Sequence, residues 1–148
     1  MTPLSAQQIA ELLNQLLEAE WQSLLRRIAE ASPYVPPDQA RLGELLKGMA
    51  DHQRQHFTDL AQMIIELDGT PTPLRCDMHR TQDGYLRLNY ILPNLCTDLQ
   101  HLLERYRAAA DQLPPDTAPG QLLRRIRQCW QEHLDTLQFH ARQSPDRS

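Results

Sequence analysis

Glycine is scarce in this chain, with five residues in 148 against eleven prolines. The prolines collect between long stretches rich in Leu, Gln, Glu and Arg, and Pro93 is the one that falls well within such a stretch. That distribution punctuates helices. No segment alternates convincingly at period two, so no sheet is expected. No apolar run approaches the roughly 20 residues needed to span a bilayer, which leaves no transmembrane helix. There is no Gly-rich phosphate loop, no nucleophile elbow and no His-Glu-x-x-His, so three large enzyme classes lose their usual signatures.

Charge and cysteine narrow the classes further. Fifteen basic and nineteen acidic residues give a formal net charge of −4. Such a balance exerts no general pull toward nucleic acid or an anionic membrane. The arginines of "LLRRIRQ" and Arg26-Arg27 read as a solvated helix face rather than a phosphate site. Cys76, Cys96 and Cys129 are odd in number and widely spaced, giving neither a CxxC pair nor a disulfide frame. Packing in the core is the ordinary role expected for each. The opening "MTPLSAQQIAELL" lacks the basic patch, apolar core and cleavage site of a secretory signal. A cytoplasmic protein with reduced thiols is therefore expected.

What is present is helical periodicity over one domain, residues 1–148. The spacing predicts four helices at about 5–31, 38–68, 85–113 and 120–143, and an all-α bundle. Ser5 is the expected N-cap of the first, and "SPYVPP" stops it. Gly69 is expected just past the end of the second, with Pro71 beyond. Two links are short, but the one from Gly69 to Gly84 is long for a compact domain. A helix of about 30 residues is about 45 Å long, and an extended link of that size reaches about 50 Å. The link can thus cross the bundle and leave helices 2 and 3 parallel.

The polar residues inside each apolar stripe mark where chemistry is expected. In the first helix, Glu20 falls among Leu13, Leu16, Leu17 and Leu24. The second places Gln53 and His56 in a stripe with Met49, Leu60 and Ile64, and His52 on its flank. His133 falls among Ile126, Trp130, Leu134 and Leu137 on the last helix, with His140 near the edge. The third has leucines and Tyr106 inward, and Thr97 and Asp98 off to the side. Buried carboxylates and imidazoles need partners. Glu20, His56 and His133 are therefore candidates for mutual hydrogen bonding or for a site holding iron, zinc or manganese. Cys76, Asp77 and His79, on the long link, are a weaker cluster of the same kind.

"HFTDLAQMIIELDGTP" resembles the second helix of ferritin-like proteins such as bacterioferritin and the rubrerythrins. His56, Leu60, Ile64, Leu67, Gly69 and Pro71 reproduce that helix's spacing. "LLEAEWQSLLRRIAEASPYV" looks like a first helix of the same superfamily and "QEHLDTL" like a fourth, so the likeness runs from about Leu12 to Leu137. The resemblance implies a ferritin-like four-helix bundle with one long crossover between helices 2 and 3. It also implies a di-iron site with one Glu from each of two helices and Glu-x-x-His from each of the others. Carried over by position, Glu20, His56 and His133 match ligands. Gln53, Trp130 and Thr97 stand where carboxylates belong, and Asp98 is one place away as a substitute. Without those charges a ferroxidase or oxygen-activating centre is not expected. The reading is a ferritin-like protein whose di-iron site is largely lost, with a non-catalytic binding or scaffolding role. The alternative is a mononuclear metal protein or oxidoreductase using Glu20, His56 and His133. By analogy with self-associating relatives, a homodimer is the expected assembly.

Overall fold

The computed structural model describes residues 3–31, 35, 37–73 and 88–143. Among them every regular element is helical. There are five α-helices, α1 (Ala6–Trp21), α2 (Leu24–Ala31), α3 (Ala40–Glu66), α4 (Leu88–Ala110) and α5 (Ala118–Gln143), and a short 3₁₀ turn at Pro37–Gln39. No helix among the described residues is long and apolar enough to cross a membrane. The cluster of Cys76, Asp77 and His79 lies outside the described residues.

Ser5 caps α1 in a reciprocal box: its Oγ accepts from the Gln8 N–H at 3.1 Å, and Gln8 Oε1 accepts from the Ser5 N–H at 2.8 Å. The chain then departs from the single helix expected over 5–31. The helix breaks at Gln22 and Ser23 and resumes at Leu24. Three side chains take up groups exposed by the break. Asp98, on α4, accepts the Leu24 N–H at 3.0 Å and so caps α2 from a neighbouring helix. Gln53, on α3, donates through Nε2 to the Glu20 carbonyl at 3.1 Å and to Ser23 Oγ at 3.0 Å. Arg26 donates back to the Trp21 carbonyl and lays its guanidinium over the Trp21 ring, 4.1 Å from the centroid.

At its far end α3 closes in a different way from the expected one. The left-handed residue is Asp68, with φ 63°, and not Gly69. The Asp68 N–H bonds the Ile65 carbonyl and the Gly69 N–H bonds the Ile64 carbonyl, each at 2.9 Å, which is a Schellman closure. Gly69 is needed instead for close approach, because a Cβ there would stand 2.8 Å from the Ala10 Cβ.

Helix pairing follows from which residues meet. Ala10 and Asn14 of α1 lie beside Gly69, Thr70 and Thr72, whereas Glu20 lies beside Gln53 and His56, so α1 and α3 run antiparallel. Leu24 meets Asp98 and Glu20 meets Tyr106, which makes α4 antiparallel to the α1–α2 rod. Arg125 pairs with Asp59 and His133 with His52, which sets α5 antiparallel to α3. The tightest packing is α4 on α5, then α1 on α3; the α3–α5 and α1–α4 faces are lighter. Leu13, Leu17, Met49, Leu60, Leu95, Leu99, Leu123, Trp130 and Leu137 fill one continuous core.

Candidate metal centre

Two polar groups of residues lie at the level of the α1–α2 break, and His56 links them. The first is centred on Glu20, which is fully buried on α1. Its Oε2 accepts from the Tyr106 hydroxyl. Its Oε1 accepts from His56 Nδ1–H at 3.3 Å and from Gln53 Nε2 at 3.4 Å. A carboxylate is an acceptor only, so His56 must donate through Nδ1, and its Nε2 is left to face elsewhere. A buried acid met by a phenol, an imidazole and an amide has both its oxygens hydrogen-bonded.

The second group lies where α3 faces α5. His52 Nδ1 is 2.7 Å from His133 Nε2, and their rings are 4.9 Å apart between centroids. The Cys129 sulfur joins them. One donor atom from each of His52, Cys129 and His133 falls within 4.8 Å of the other two. Among the described residues this is the only set of three or more His, Cys, Asp or Glu that close. His52 is exposed, whereas Cys129 and His133 are half-buried, so the cluster opens to solvent on the α3 side.

Glu20, His56 and His133 therefore do not form one set. Glu20 and His56 meet in the core, and His133 turns toward His52. Asp98 is occupied in capping α2. Thr97 is exposed and donates to the Pro93 carbonyl at 3.1 Å. Trp130 is fully buried, its ring edge-on to His56 at 5.1 Å between centroids. Its Nε1–H has no acceptor among the described residues, and an indole offers no lone pair to a metal. Glu20 is the sole carboxylate among the fully buried polar side chains described. Two hard cations need several bridging carboxylates, so these residues do not fit a di-iron centre.

The electrostatics separate the two imidazoles that lie deepest. Burial pushes the His56 pKa down, but hydrogen bonds to Cys129 and Glu20 outweigh it and raise the value to about 9. Burial lowers His133 to about 4, with positive charge on His52 and His56 acting in the same sense and Glu132 opposing. Neutral imidazole is the form that binds a metal, and His133 is already in it near neutrality. Burial also holds the Tyr106 phenol well above its ordinary value, with the Glu20 charge and hydrogen bond adding to the effect.

Two members of this cluster, His52 and Cys129, fall outside the inward stripes read from the sequence. Both lie on helix flanks, where a search confined to apolar stripes does not look. The readable signal is spacing. His52-x-x-x-His56 on one helix and Cys129-x-x-x-His133 on another each place two donors one turn apart on the same side. Cys129, expected as packing, instead presents its thiol to the histidines. Against known proteins, neither a scan of family models nor a search of curated sequences returns a match to this chain.

Proposed function

We propose that this protein is a ferritin-like four-helix bundle that binds one transition-metal ion at His52, Cys129 and His133. The carrying observation is the mutual closeness of those three donor atoms at the α3–α5 face. Two imidazoles and a thiolate form a borderline-soft donor set, suited to zinc and neighbouring late metals rather than to oxygen-loving iron or magnesium. The ferritin-like reading is supported by helix direction. The α1–α2 rod runs antiparallel to both α3 and α4, so those two share a direction and need a long crossover between them. In this reading the ancestral carboxylates have gone, the role is binding rather than di-iron catalysis, and Glu20 serves the core.

The proposal is tested by equilibrating the full chain with zinc, removing loose metal and measuring zinc per chain. Wild type should retain about one equivalent. His52→Ala should lose it without harm to folding, because His52 is exposed, and Cys129→Ser should weaken it strongly. Zinc retained equally by wild type and both variants would place the ion elsewhere and defeat the assignment.

A further inference from the structure

We infer that His56 is the fourth ligand of this site, which makes it a closed Cys-His₃ centre for a zinc-class ion with Glu20 as the positioning residue. The inference rests on the three-residue site above and adds a ligand, a coordination number and a role for the buried acid. His52 and His56 are one turn apart on α3, and Cys129 and His133 are one turn apart on α5. Because α3 and α5 run antiparallel with His52 against His133, His56 falls opposite Cys129 one turn along, so the fourth imidazole flanks the three-donor group from which a tetrahedral ion could draw it in. His56 stands outside the tighter group of three, with its ring 5.1 Å between centroids from Trp130, the residue next to Cys129.

The tautomer fits the role. Glu20 Oε1 accepts a hydrogen bond from His56 Nδ1–H, which leaves Nε2 as the nitrogen that would bind an ion once its proton is displaced. A carboxylate that fixes a ligating imidazole in this way sets its ring orientation and raises its basicity. Glu20 is itself held by Tyr106 and Gln53, so the chain of contacts from phenol to carboxylate to imidazole is rigid and buried. At the other side of the site, His52 Nδ1 and His133 Nε2 share one proton at 2.7 Å. A metal replacing that proton would open the pair to about 3.3 Å, as tetrahedral bonds of about 2.05 Å require. Rotation of the exposed His52 ring is enough for that.

The test uses the full chain loaded with cobalt(II) as a spectroscopic stand-in for zinc. Wild type should show a thiolate-to-cobalt charge-transfer band and the intense visible bands of four-coordinate cobalt. His56→Ala should keep the charge-transfer band, lose the four-coordinate pattern as water enters, and bind more weakly than Glu20→Gln. Glu20→Gln should keep the pattern with affinity down about 10- to 100-fold. Because His56→Ala can also perturb the core, imidazole nitrogen NMR of zinc-loaded wild type supplies a second reading. The His56 Nε2 signal should be that of a metal-bound nitrogen and Nδ1 that of a protonated one. An unchanged cobalt spectrum in His56→Ala, or a His56 Nε2 with no metal shift, overturns the fourth ligand while leaving the three-residue site standing. A wild-type protein with no charge-transfer band overturns both.

Discussion

His56 and His133 are the same side chain placed in opposed fields, and pH should separate them in the metal-free protein. An imidazole raised from 6.5 to about 9 holds its proton more tightly folded than unfolded. Its contribution to stability is complete below about pH 6.5 and is lost as pH rises through about 9. His133, lowered to about 4, behaves in reverse: its contribution is complete above about 6.5 and is lost as pH falls toward 4. The groups facing this pair are Glu20, Cys129, His52 and Glu132, with Tyr106 beyond Glu20. Denaturation midpoints measured without metal should therefore peak near pH 6.5. The alkaline decline should flatten in His56→Ala and the decline from about 6.5 to 4.5 should flatten in His133→Ala. Identical pH profiles for wild type and both variants would refute the opposed shifts. Glu20 and His56 were legible in the sequence because a polar residue inside an apolar stripe has few places to go. His133 was legible as a candidate but its partner was not. A half-buried ring at the border of its stripe can turn either way, and only the α3–α5 approach decides which.

At the scale of the helix, the break after Trp21 organises the site. It leaves the Glu20 carbonyl with the tighter Ser23 N–H bond in place of Leu24 and turns Ser23 inward, and the Gln53 amide meets both residues. Gln53 donates to a backbone oxygen that a carboxylate would repel. Gln53→Glu should therefore fail to create a metal ligand. It should destabilise the fold by about 3 kcal/mol near neutral pH, since a buried second acid would face the Glu20 carboxylate and carbonyl in place of the amide donor, with only the Ser23 hydroxyl able to donate to it. The loss should shrink in acid, where the new carboxyl is protonated and can donate again. A denaturant titration at pH 7 and pH 4.5 reads both effects, and a variant as stable as wild type at pH 7 would show that Gln53 does not secure the break. The long periodic helices were readable: α3 and α5 lie close to their expected spans because prolines flank them and leucines recur throughout. The break was not. Gln22 and Ser23 carry no helix-breaking signal, and the apolar residues on both sides keep helical phase across them. It arises from tertiary partners, Asp98 and Gln53, that lie 74 and 30 residues away in the chain.

Across the whole molecule, the donors sit on the seam between two better-packed helix pairs. α1 packs closely on α3 and α4 on α5, whereas α3 meets α5 along a lighter face. His52 and His56 belong to the first pair, Cys129 and His133 to the second. An ion held by both would tie the pairs together across one of the lighter faces, and the binding energy would appear directly as folding stability. With free zinc at about a hundred times the dissociation constant, the gain is about 2.7 kcal/mol. In a domain of this size that corresponds to a rise in Tm of about 5–11 °C. Zinc should raise the melting temperature of wild type by that order, a chelator should reverse it, and His52→Ala should melt at the same temperature in both conditions. The comparison isolates the seam, because His52 is exposed and its removal leaves the apolar core untouched. If zinc stabilised His52→Ala as much as wild type, the ion would be acting away from the α3–α5 face. If it stabilised neither, the two pairs would be held by packing alone.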